Sequence, residues 1–132
     1  MIEHPVLRTR ALYAWEEYDL EKRRGVRPLE CVRECRDVVE SLWGVRRERP
    51  AVVTIRKLDG SPYCEGRSLI VLTHKSRLNV TLLHEITHAH GYGSFRNPHN
   101  REFTRAYIRL LARFFKWDDG ELTCQAIMRG LL

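Results

Sequence analysis

Between Val6 and Arg24 the apolar residues Leu7, Ala11, Ala14, Trp15 and Tyr18 recur at helical spacing, and the run closes on Lys22, Arg23 and Arg24 before Gly25. Basic residues in a last turn complement the negative end of a helix dipole, so a first helix is expected here. A second is expected from Pro28 to Trp43, with proline in its first turn and Gly44 past its end. Its apolar face is Val32, Cys35, Val39 and Leu42, flanked by Val38 and Trp43. The period then changes. Val52, Val53, Thr54 and Ile55 are largely β-branched, Asp59-Gly60 and Ser61-Pro62 mark turns, and Ser68 to Thr73 reads as a second, largely buried strand. From about Leu78 the helical period returns through Val80, Leu83 and Thr87 and stops at Gly91 or Gly93. Asn97-Pro98 resembles an N-cap followed by proline at the first helical position. The helix it opens carries Phe103, Ala106, Tyr107, Leu110, Leu111 and Phe114 as one stripe. Two helices, a small sheet and two further helices make an α+β domain spanning residues 1–132: N-terminal helices about 6–43, sheet about 51–73, later helices about 78–116.

Composition narrows the class. A chain of 132 residues fits one domain and can bury a core without disulfide staples. No apolar run approaches the roughly 18 residues of a membrane span, so no membrane partner is expected. Glu3, Arg8 and Arg10 interrupt the stretch a signal peptide would need, so a cytoplasmic location is expected. The four cysteines, Cys31, Cys35, Cys64 and Cys124, then read as reduced and mostly buried thiols. Cys31 and Cys35 share a helix face, but no second close pair exists to complete a metal site, and core packing is the expectation.

The chemistry lies in the helix at 78–90, where His84-Glu85-Ile86-Thr87-His88 matches H-E-x-x-H. Residues four apart share a helix face, so both imidazoles can meet one zinc, and Glu85 can reach a water there as general base. A chain of this composition yields the motif by chance roughly 0.02 times. The alternative is an amphipathic core helix, but two histidines and a glutamate beside Leu82, Leu83 and Ile86 are costly to bury without a purpose. The longer metzincin form would carry a third histidine where this chain has Ser94. His90 points to another side of the helix. His99 and Glu102 remain as third ligands, one turn apart beyond a loop of about ten residues, with His99 near the second helical position. Tyr92, His90 and His74 are unresolved candidates for an oxyanion helper, and His4 reads as a solvent-exposed terminal residue.

The segments LLHEITHAH (82–90) and HNREF (99–103) resemble the SprT-like (Spartan-like) zinc metalloproteases, as does the strand-like run from Cys64 to Leu72 ahead of the helix. The likeness covers roughly residues 64–115. It implies a minimal zincin-like metalloprotease domain with one Zn2+ per chain, held by His84, His88 and His99. Glu85 is then the catalytic base, and Glu102 becomes a supporting or capping residue. It also implies a protein or peptide substrate and, as in the larger members, DNA-associated proteins, although the cysteine-rich ribbon those members append is missing here. Charge bears on this last point. The net +6 divides as +1 over residues 1–50 (11 Lys/Arg, 10 Asp/Glu) and +5 over residues 51–132 (12 against 7). Arg101, Arg105, Arg109 and Arg113 recur every fourth residue on the final helix, which is either a solvated face or a ridge for DNA or an acidic substrate. The expected activity is zinc-dependent endopeptidase. The alternatives are a basic nucleic-acid-binding domain with a structural zinc, which has no use for Glu85, and a non-proteolytic zinc hydrolase.

Overall fold

The computed structural model describes residues 1–22, 32–43, 51–55, 63–65, 69–73 and 79–132. The described elements are mostly helical with one small sheet, an α+β composition. In chain order they are α1 (Pro5–Ala14), a π-helical segment (Trp15–Lys22), α2 (Val32–Trp43), β1 (Ala51–Ile55), β2 (Tyr63–Glu65), β3 (Leu69–Thr73), α3 (Asn79–Ala89), α4 (Arg101–Phe115) and α5 (Asp119–Met128). No helix among the described residues is long and apolar enough to cross a membrane. The chain divides into two compact units, one of Met1–Val26 with Tyr92–Leu132 and one of Arg27–Gly91.

The unit of residues 27–91 holds the sheet, ordered β1-β3-β2. β1 runs parallel to β3 from Ala51↔Leu69 to Ile55↔Thr73, and β2 runs antiparallel to it, Cys64 facing Ile70. The stretch from Cys64 to Leu72, expected as one strand, is therefore parts of two that pair with each other. Its central strand buries Ile70, Val71 and Leu72, as a strand flanked on both edges does. On the α2 face, Cys35, Val39 and Leu42 with the flanking Val38 and Trp43 are all buried as the periodicity requires, and the Val32 side chain lies outside the described residues. The turns expected at 59–62, residues 28–31 with Cys31, and His74 lie outside the described residues.

In the other unit the first helix departs from expectation. Leu7 and Tyr18 are exposed, while Arg8, Leu12, Trp15, Glu16 and Leu20 are buried. Two causes act in turn: Arg8 finds buried acceptors at Ile2, His99 and Leu131, which turns Leu7 outward, and from Trp15 the backbone winds as a π-helix, whose i→i+5 bonds change the period. Trp15 and Leu20 thus share the inner face. Tyr107 Oη donates to Glu16 Oε2 at 2.7 Å, Trp15 Nε1 donates to Gln125 Oε1 at 3.3 Å, and Arg129 Nε meets Asp19 Oδ2 at 2.9 Å.

Burial first, then the charges of Glu16 and Glu17, raise the Glu21 pKa from 4.5 to about 7, against a smaller opposing effect of Lys22. Between those values the folded chain holds a proton that the unfolded chain releases. Stability from this group is therefore complete below about pH 4.5 and lost as pH rises through about 7. Glu21→Gln should flatten that part of a stability-versus-pH curve measured by urea denaturation. A slope unchanged in the mutant would place the titration elsewhere.

The stripe of α4 is buried at Phe103, Ala106, Tyr107, Leu110 and Leu111, with Ile108 beside it, and Phe114 is half-buried. The helix begins three residues later than Asn97-Pro98 suggests. Asn100 caps it, its Oδ1 accepting from the Phe103 amide at 2.9 Å. It ends at Lys116, which adopts a left-handed conformation (φ 59°). One more helix than expected follows. Asp118 caps α5 by accepting from the Gly120 amide at 3.2 Å, and Leu122 and Ala126 anchor it. Gly130 closes it at φ 77° in a Schellman turn, Leu131 N–H to Ala126 O and Gly130 N–H to Ile127 O. Cys35 is buried as expected, whereas Cys124 on α5 is an exposed thiol.

Candidate metal centre

Along α3 every residue from Leu82 to Thr87 is buried, and Leu82, Leu83 and Ile86 are fully enclosed. Apolar residues on either side of the motif hold the helix in place while His84 and His88, one turn apart, present their rings together. The ring centroids lie 5.0 Å apart at 62°, an edge-to-face arrangement. Glu85, 5% exposed, sets Oε1 3.9 Å from His84 Nε2. Thr87 returns its hydroxyl to Leu83 O at 2.7 Å and so adds no polar burden to the interior.

His99 reaches its place without a helix under it. Gly93, at φ 90°, lets the chain turn so tightly that a Cβ there would collide with the Pro98 carbonyl. Ser94 and Asn97 close the turn, Ser94 N–H to Asn97 O and Asn97 N–H to Ser94 Oγ, both at 3.1 Å. Ser94, which stands where a metzincin would have its third histidine, is thus a turn residue. His99 lies just before the Asn100 cap, outside α4 rather than at its second position, because the turn at 94–97 occupies the residues expected to open the helix. It is 5% exposed. Its Nδ1 is 2.8 Å from Thr9 Oγ1, its ring meets Tyr13 and Phe103 edge-on (centroids at 6.0 and 5.0 Å), and its carbonyl accepts from Arg8 Nε at 2.7 Å.

A ring nitrogen of each of His84, His88 and His99 lies within 4.8 Å of the other two, and the three are positioned to bind a metal ion. Three imidazoles, two buried and one half-buried, form a donor set that suits zinc, copper, iron or nickel. Glu102 is exposed in the first turn of α4 and is not in this cluster. His90 packs its ring on Trp43 at 4.3 Å, Tyr92 is 39% exposed, and His4 is exposed. Arg101, Arg105, Arg109 and Arg113 are all exposed along α4.

Sequence reasoning passed over Arg8, Thr9 and Tyr13. Arg8 is 1% exposed, and burial, then the Arg101 charge, lower its pKa. The available signal is that positions 8, 12, 15 and 16 also fit a helix face, although an arginine is rarely buried. Compared with protein-family models, with curated proteins and with solved structures, the chain matches none.

Proposed function

We propose that the chain is a zinc-dependent endopeptidase of SprT-like, zincin type, with the ion on His84, His88 and His99 and Glu85 as general base. The observation that carries this reading is the buried Glu85 carboxylate 3.9 Å from His84, one of three histidines whose ring nitrogens lie within 4.8 Å of one another. Burying a carboxylate is costly, and a purely structural zinc site gains nothing from one outside its ligand set. Zinc, when bound, supplies a Lewis acid that acidifies a water and polarises the scissile carbonyl. Glu85 takes the proton of the attacking water and passes it to the leaving amine. The four exposed arginines of α4 support DNA-associated proteins as the substrate class, through phosphate contacts without base readout.

The test combines elemental mass spectrometry of the wild type and His99→Ala with cleavage of an unfolded protein, with and without DNA and chelator. About one zinc per wild-type chain, most of it lost in His99→Ala, and chelator-sensitive cleavage are expected. A wild type that takes up no divalent ion after reconstitution sinks the enzyme reading. Zinc retained without cleavage of any protein favours the hydrolase or structural alternatives.

A further inference from the structure

The two helix-borne ligands and the third are held by different means. His84 and His88 are fixed by an eleven-residue helix whose hydrogen bonds and buried neighbours determine their direction. His99 sits in a turn, where neither the backbone ladder nor helical packing sets its ring. What does set it comes from α1, about 90 residues earlier in the chain. Arg8 and Thr9, adjacent on that helix, take opposite ends of the same histidine: Arg8 Nε binds its carbonyl at 2.7 Å and Thr9 Oγ1 its Nδ1 at 2.8 Å. Tyr13, one turn on from Thr9 and so on the same helix face, covers the ring edge-on.

We propose that Thr9 is a positioning residue of the metal centre, its hydroxyl accepting the Nδ1 proton of His99 and thereby leaving Nε2 as the nitrogen offered to the ion. This rests on the metal-binding reading above. A neutral imidazole carries one proton. If that proton sits on Nδ1, the Nε2 lone pair is free, and the partner of Nδ1 fixes both tautomer and ring orientation. Partners of this kind usually change metal affinity by about 10–100-fold when removed. A threonine hydroxyl does this without adding charge, so the ion keeps the positive character its chemistry needs.

The test measures zinc affinity of the full chain by competition with a chromophoric chelator, and the absorption spectrum of the cobalt-substituted protein. The variants are Thr9→Val, which keeps the shape and loses the oxygen, and Thr9→Ser, which keeps the oxygen and loses a methyl. Circular dichroism and melting of the metal-free forms report folding. Thr9→Val is expected to bind zinc about 10–100-fold more weakly with an altered cobalt spectrum, and Thr9→Ser to restore both. Wild-type affinity and spectrum in Thr9→Val overturn this inference while leaving the metal site standing. Equal weakening in both variants, tracking a loss of melting temperature, also overturns it, because packing and not the hydroxyl would then be responsible. A wild type that binds neither ion overturns the metal-site reading, and this inference with it.

Discussion

Glu85→Gln is expected to lower the cleavage rate by about 10²–10⁴-fold while leaving the bound metal in place. The substitution keeps the volume and one acceptor oxygen but removes the capacity to take a proton. Glu85 stands beside His84 without belonging to the nitrogen cluster, so ligand number does not change. Its burial makes a second effect predictable. A neutral amide is less costly to enclose than a carboxylate, so the variant should fold at least as stably as the wild type. Zinc content, melting temperature and kcat/KM on one preparation separate the possibilities. Wild-type cleavage with metal bound would remove Glu85 from its role. Loss of zinc together with activity would instead make it a ligand.

The parts of this chain that could be read in advance are those in which one periodicity decides the outcome locally. The face of α2 and the stripe of α4 bury the residues their spacing selects, because each helix has one apolar side and no competing constraint. His84, Glu85 and His88 likewise need only a helix to bring them together. Where distant groups decide, periodicity fails. The N-terminal helix turns Leu7 outward because Arg8 finds acceptors at Ile2, His99 and Leu131, which makes a buried arginine tolerable there. The π-helical winding after Trp15 then changes the period itself, which turns Tyr18 outward. Asn97-Pro98 has the chemistry of a helix start, yet the Ser94–Asn97 turn claims it and the cap moves to Asn100. Spacing could not separate His99 from Glu102, one turn apart, since the difference lies in the tertiary course of residues 91–100. α5 was missed because Gly120 in its first turn and only two buried residues, Leu122 and Ala126, give a weak pattern, although Asp118 followed by Glu121 is a start signal.

Arg8→Met should cost about 3–5 kcal/mol of stability, a large part of the roughly 5–15 kcal/mol that holds a typical domain together. The guanidinium is fully enclosed. It donates to the Ile2 carbonyl at 2.8 Å, the Leu131 carbonyl at 2.8 Å, the His99 carbonyl at 2.7 Å and the Thr104 hydroxyl at 3.2 Å. Those acceptors belong to the N-terminal segment, the C-terminal segment, the turn before α4 and α4 itself, so one planar fork ties four stretches of chain to α1. Methionine retains most of the stem's packing and none of the donors, leaving buried carbonyls without partners, and this accounts for most of the expected loss. Arg8→Lys should recover only part of it, because a single ammonium cannot span acceptors arranged around a fork. Urea denaturation of the metal-free protein makes the comparison, and an unchanged midpoint in Arg8→Met would show that the carbonyls find water or new partners at little cost. The same arginine holds the His99 backbone, so the loss of stability should be accompanied by weaker metal binding. A large stability loss with unaltered zinc affinity would instead mean that Thr9 and the packing of Tyr13 and Phe103 suffice to aim the ring.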